Sequence, residues 1–363
     1  MTTIGAIFTA YAPQYLARFP HLPTAHRKTV SAVLPCQRGP DGHRLSQCQD
    51  CGGQHRVNHA CGNRHCPQCQ HHPTQQWLHR HLEKHLPGPH VLITCTVPET
   101  LRPLMRSHQP LAYAALLNAS SHALKRLATD ERCIGTHLPG CTGVLPPWGR
   151  QLQSHPHIHS LVPGGGLSND RTAWLPSRDT FFVPVKALSP IYRAVFTQEM
   201  ANAGLLGRID PKVWNTAWHV HSQAHPNGAT SFKYLAPSVF KVAISNSRLI
   251  SLTERTVTFT YRTPGSARPR TTQLDAIACI RRVLQHVLPE GFMQVRHFGC
   301  MHANCAIPTD TLRRIILRQH PVALKAPEVE APAPRVAACP PCGTPMQLVL
   351  RRWTSNPAFL DTG

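Results

Sequence analysis

The chain has 363 residues, with 38 Lys and Arg against 17 Asp and Glu and a formal net charge of +21, although charged residues make up only 15% of it. Such an excess attracts polyanions over long range, since neutralised phosphates release counterions, and it points to nucleic acid as the partner. No uninterrupted apolar stretch approaches the roughly 20 residues of a membrane-spanning helix and no secretory signal opens the chain, which predicts a cytoplasmic protein whose 14 cysteines are thiols or thiolate ligands and not disulfides.

The first predicted element covers Ile4 to Phe19, where Ile4, Ile7, Phe8, Tyr11, Tyr15, Leu16 and Phe19 recur at helical intervals around Pro13. That pattern predicts a kinked or divided helix with its tyrosines as packing residues. From Cys36 to His72 the sequence turns polar and rich in Cys, Gly and His, so it needs a metal to fold. Cys48-x-x-Cys51 and Cys66-x-x-Cys69 have the spacing of paired thiolates, and together they predict one tetrahedral, structural zinc. Cys36, Cys61, His43, His55, His59 and His65 lie in the same stretch, enough for a second ion, though spacing selects none. Arg56 and Arg64 supply a basic surface that would suit DNA, or equally an ordinary solvated face.

A short helical stretch at Gln75 to Leu86 precedes His90 to Val97, which is rich in β-branched residues and ends at Pro98, the pattern of a buried strand. Leu111 to Leu127 has helical periodicity, and His157 to Val162 reads as a second strand closed by a turn at Pro163 to Gly166. In that strand alternate residues share a face roughly 6 to 7 Å apart, so His157 and His159 can converge on one ion. Pro156 fits a strand entrance and leaves His155 outside the pair. Thr216 to Ser222 alternates as a strand, Phe232 to Lys241 is helical, and Val242 to Tyr261 reads as a hairpin or meander. Residues 326–338 form a Pro/Ala-rich linker. Cys339 and Cys342 look like half a zinc knuckle, with Cys300, Cys305, His297 or His302 as conceivable partners, while Cys95, Cys133, Cys141 and Cys279 read as core residues. Separated strands and helices indicate an α+β class. The predicted divisions are an N-terminal helix and zinc-binding module (1–86), a larger central domain (87–320) and a linker with a short Cys-containing tail (321–363).

The segment HPHIHSLVPGGG at 155–166 resembles the His-hydrophobic-His strand of the HUH endonuclease superfamily, in the form of the insertion sequence 91 family of bacterial rolling-circle transposases. CGNRHCPQCQ at 61–70, HVLITCTVPETLRPL at 90–104, KYLAPSVFKVAISNSRL at 233–249 and VLPEGFMQVRHFG at 287–299 are similar to further family segments, collinear from about Cys36 to Gly299. The resemblance implies an antiparallel-sheet HUH nuclease core flanked by helices and preceded by a zinc module. It implies that His157 and His159 hold magnesium or manganese, with a third ligand the sequence does not identify. Matching the family's Tyr-Leu-Ala-Arg-Tyr pattern to residues 234–238 carries the nucleophile to Tyr234. Two departures stand there: Ser238 replaces a second tyrosine, and Pro237 interrupts a helical pattern at a cost of about 3 kcal/mol. Lys233, Lys241 and Arg248 surround the tyrosine as phosphate contacts or solvated charges, and Asn246 is open between ligand and turn residue.

The implied function is metal-assisted nicking and transfer of single-stranded DNA at element ends into target DNA through a 5′-phosphotyrosine link, in a protein associated with the nucleoid. Two alternatives use or lose the same residues. One is a plasmid replication initiator or relaxase, and the other is a zinc-dependent DNA-binding protein that has lost catalysis.

Overall fold

The computed structural model describes the chain except for residues 1, 37, 39–41, 67–70, 84, 178–183, 226–229, 231, 234, 236–238, 240–242, 264–265, 267, 320–337 and 354–363. Among the described residues no helix is long and apolar enough to cross a membrane. Helix α1 (Ile4–Arg18) starts at Thr3, whose side chain accepts from the Ala6 amide, and buries Ile4, Ile7, Phe8, Ala12 and Tyr15 along one face. Of the kinked or divided helix expected at Pro13, the division does not occur, since the helix continues through it. Pro13 and Thr9, whose carbonyl loses its partner, both lie on the exposed face, where water can serve the orphaned oxygen.

The central sheet has the order β7-β6-β4-β5-β3-β8 with β12 paired to β4, and every pairing is antiparallel. Its strands are β3 (His90–Thr96), β4 (Leu138–Val144), β5 (His157–Pro163), β6 (Gly165–Leu167), β7 (Trp174–Pro176), β8 (Val220–His225) and β12 (Val295–Gly299). The two strands expected around residues 90 and 157 are thus neighbours. Strand β8 begins later than expected, Thr216 to His219 being irregular after the 3-10 turn Pro211–Asn215, and the predicted glycine turn leads straight into β6. Strand β4 carries no sequence signal because its neighbours demand small residues. A Cβ on Gly140 would stand 2.6 Å from Cys300 Sγ and 2.7 Å from Met301 Cγ.

Alternation along β3 and β5 divides the sheet's two faces. Ile93, Cys95, Ile158 and Val162 enter a large core with Tyr113 and Leu116 of α5 (Gln109–Ala128) and Tyr192 and Phe196 of α6 (Val185–Asn202). The opposite face sends Leu92 and Leu161 into a smaller cluster with Val144, Trp77 and Leu82 of α3 (His71–Glu83), and Phe232, Leu235 and Val239. Fully burying each such side chain contributes about 1.5–3 kcal/mol.

The expected boundary at residue 86 is not a seam of packing. Helices α1 and α2 (Thr24–Val33) share one core with Val257, Phe259, Ile277, Ile280 and Leu284, from a three-stranded meander, β9 (Leu249–Thr253), β10 (Thr256–Tyr261) and β11 (Arg270–Asp275), and the helix Ala276–Leu284. The cysteine-rich stretch has too few aliphatics to cover α1, so a segment some 240 residues away does so. Asn246 belongs to this junction, its Oδ1 accepting from the Ile4 amide at 3.0 Å, which settles it as a helix-start partner. Nor is the tail separate. Strand β13 (Met346–Trp353) pairs antiparallel with β1 (Gly42–Cys48), which also pairs with β2 (Gln54–Asn58).

Two buried imidazoles give the fold an acid limit. Burial holds His90, on β3, at about 4 against the ordinary 6.5, even though its Nδ1 donates to the Gly88 carbonyl at 3.0 Å. Burial likewise holds His286 at about 4. Between those values the unfolded chain binds more protons than the folded one, so stability is complete above about pH 6.5 and is lost as pH falls toward 4, by up to about 3 kcal/mol per histidine. Thermal melts from pH 8 to 4.5 are expected to show that decline. His90→Asn, which keeps a donor toward Gly88, should remove about one proton from the slope; an unchanged slope would clear His90 of the effect.

Candidate functional site

Strand β5 aims His157 and His159 to the side of the sheet that carries Leu161, with ring centroids 4.8 Å apart. Each ring is held through Nδ1. His157 donates to the His155 carbonyl at 2.7 Å, and His159 Nδ1 lies 3.0 Å from Thr94 Oγ1 on β3, its partner in register. For His157 that bond puts the proton on Nδ1 and turns the Nε2 lone pair toward a ligand. Burial first, and the neighbouring imidazole second, push His157 down to about 3; burial pushes His159 down to about 4. Both rings are therefore neutral near pH 7, the state a metal requires. His155 sits just outside β5, as its position before Pro156 suggests, with its ring 5.1 Å from His157.

Four further polar positions, Thr94, His221, His297 and His81, lie on this side of the sheet, where sequence reasoning did not place them. Thr94 pairs with both His159 and His221, so the three form one row across β5, β3 and β8. His297 on β12 lies 3.0 Å through Nδ1 from Thr142 Oγ1 and stacks on His81 of α3 at 5.6 Å. The alternation of His219 and His221, the second of which lies in β8, carries a weak signal for the first row. His81 and His297 carry none, because a lone histidine on a helix or edge strand has no periodicity to betray it.

The described residues of the segment expected to bear the nucleophile reach the same face. Phe232, Lys233, Leu235 and Val239 are helical, and Phe232, Leu235 and Val239 pack with Leu92 and Leu161 beside the histidines. Tyr234, Pro237, Ser238 and Lys241 lie outside the described residues, while Lys233 is exposed. Arg248 is committed to the fold: its Nε donates to the Thr260 carbonyl at 2.8 Å, its Nη2 to the Arg150 carbonyl at 2.6 Å, and its guanidinium lies over Phe259. Arg64 donates to Gln294 Oε1 at 2.5 Å, joining the cysteine-rich stretch to the residue that precedes β12 of the central sheet. Arg56 is exposed on β2.

The cysteines are grouped differently from their sequence spacing. Cys48 and Cys51 meet Cys339 and Cys342, whereas Cys66 meets Cys36 and Cys61, with the sulfurs of each group within 4.8 Å of one another. The predicted quartet of Cys48, Cys51, Cys66 and Cys69 is therefore corrected for its described members; Cys69 lies outside them. Corrected too are Cys300, Cys305, His297 and His302 as partners of Cys339 and Cys342. The pairing of β13 with β1 decides both, because it carries the tail pair to the first cysteine turn.

The family model described as "Transposase zinc-binding domain" matches residues 7–97, and the model described as "Putative transposase" matches residues 140–307. The chain is 31% identical over 318 residues, covering 82% of itself and 79% of the relative, to "Putative transposase y4qJ" of Sinorhizobium fredii. The chain belongs to the insertion sequence 91 family of transposases. It is also 27% identical over 305 residues, 75% of this chain and 69% of the relative, to the "Transposase for insertion sequence element IS801" of Pseudomonas savastanoi pv. phaseolicola. No solved structure matches it. In this transposase the zinc-binding match contains Cys36, Cys48, Cys51, Cys61 and Cys66, and the second match contains both strand histidines and the 230–239 segment. The thiol clusters fit zinc by their chemistry: soft sulfur donors in close groups, from cysteines none of which is in a disulfide among the described residues.

Proposed function

We propose that this transposase cuts and transfers one DNA strand through Tyr234, with a divalent ion at His157 and His159, by way of a 5′-phosphotyrosine link. One observation carries the reading: the paired, neutral histidines share a face of the central sheet with Phe232, Leu235 and Val239, which flank Tyr234 in sequence. The phenol oxygen of Tyr234 attacks the scissile phosphorus and its proton goes to solvent. The bond to the 3′ oxygen breaks, and that oxygen leaves as a hydroxyl, keeping the phosphodiester energy for rejoining without a nucleotide cofactor. Magnesium or manganese, when bound, supplies charge neutralisation at the phosphate oxygens. His157 and His159 would bind that ion and hold it in place, Thr94 orienting the second ring. Of the cations expected to meet phosphates, Lys233 and Arg56 are exposed and would do so, and Lys241 would add another. The substrates are single-stranded element ends and a target strand. Within the zinc-binding match, Cys36, Cys61 and Cys66 would hold a structural zinc.

Membership of a transposase family disfavours a plasmid initiator or relaxase. Pro237 and Ser238 keep one competitor alive, a DNA-binding protein that has lost catalysis. The test uses a single-stranded element end, labelled on either side of the nick, with manganese, magnesium or a chelator. Covalent capture of the fragment that carries the 5′ phosphate, only with metal, is the expected result. Binding without capture on an end that the element itself defines would overturn the reading in favour of the inactive protein.

A further inference from the structure

The zinc-binding match ends at residue 97, yet two of the four sulfurs around Cys48 come from the opposite end of the chain. Cys48 Sγ lies 3.4 Å from Cys342 Sγ, Cys51 Sγ 3.5 Å from Cys339 Sγ, and Cys342 Sγ 3.7 Å from Cys51 Sγ. Four thiolates each about 2.3 Å from a central zinc stand about 3.8 Å from one another, so these separations are close to the edges of such a tetrahedron.

The two halves are built alike. In the first, the Cys48 amide donates to the Gly53 carbonyl and the Gly52 amide returns to the Cys48 carbonyl; in the second, the Cys339 amide donates to the Thr344 carbonyl and the Gly343 amide to the Cys339 carbonyl. Gly52 and Gly343 occupy the same place in each turn, with φ of +67° and +75°, a conformation that favours glycine. Each turn thus presents two sulfurs from a rigid backbone loop, and the pairing of β1 with β13 sets the turns face to face.

Among the described residues this small sheet has little apolar packing to hold it. Its own buried cluster is Cys48, Cys339 and Met346, while Leu348, Val349 and Leu350 of β13 remain 51%, 54% and 47% exposed. A core of three side chains cannot offset the entropy of ordering three strands. A bound ion can, since structural zinc contributes its binding free energy directly to folding.

We infer that Cys48, Cys51, Cys339 and Cys342 hold one zinc ion that clasps the two ends of the transposase together, separate from the group at Cys36, Cys61 and Cys66. The inference stands on thiol geometry and is independent of the strand-transfer chemistry. Its consequence is a composite sheet to which both termini give cations, Arg351 lying across from Arg44 and Arg352 across from His43.

The experiment uses the full chain with a protease recognition site inserted at 326–337. After cleavage the tail should co-elute with the body, leave it on treatment with 1,10-phenanthroline, and return with added zinc. Zinc content should fall by about one equivalent per chain in Cys339→Ser/Cys342→Ser and be retained in Cys342→His, since imidazole can replace a thiolate in a tetrahedral site. The double variant removes tail residues only, so body zinc and melting serve as the internal standard. An unchanged zinc content in the double variant would overturn the clasp, as would a tail that separates without chelation or one released by reductant alone.

Discussion

Tyr234→Phe is expected to abolish the covalent protein–DNA band and to lower strand cleavage at least about 10³-fold, while affinity for the uncut strand stays within about twofold. The change removes one oxygen and keeps the ring, so a loss of cleavage with binding intact isolates the nucleophile. No other tyrosine is placed to substitute for it. The chain has six. Tyr113 and Tyr192 are buried in the core on the opposite face of the sheet, where desolvation raises the pKa of both phenols. Tyr15 packs in the core of α1, Tyr11 donates its hydroxyl to the Glu254 carbonyl, and Tyr261 ends β10. Denaturing gels of labelled strand with wild type and variant decide the matter. A covalent band that persists in Tyr234→Phe would sink the assignment and send the search to a serine or another residue.

His157→Ala and His159→Ala are each expected to reduce metal-dependent cleavage by about 10²- to 10³-fold, with the double variant little worse than either single change, because two ligands of one ion act as a unit. Raising manganese should partly restore the single variants and shift the titration midpoint upward. Thr94→Val, which removes the hydroxyl 3.0 Å from His159 Nδ1, should cost about 10- to 100-fold, the usual effect of losing a group that orients a ligand. The contrast between these variants is informative. If His159→Ala cleaves at the wild-type rate while Tyr234→Phe does not, the histidine pair has no part in metal binding.

Much of the site was legible from the residues because its signals are local. Period-two alternation places His157 and His159 on one face of any strand that contains them, and Pro156 marks where that strand begins, as β5 bears out. Two cysteines with two residues between them, followed by glycine, make a thiolate-presenting turn whatever surrounds them. The β-branched run at 90–97 became β3 for the same reason.

What the tertiary structure alone decided are the partners. Cys48 and Cys51 could close a site with any other pair, and the choice of Cys339 and Cys342 follows from a strand pairing across about 300 residues. Helix α1 advertises an apolar face but not that Ile277 and Ile280 will cover it. Strand β4 is hidden by glycines that only its neighbours explain, and His297 reaches the histidine face only through its place on β12. Periodicity and turn chemistry reside in a few adjacent residues and can be read from the sequence, whereas long-range pairing depends on how whole surfaces fit, which exists only once the chain has folded.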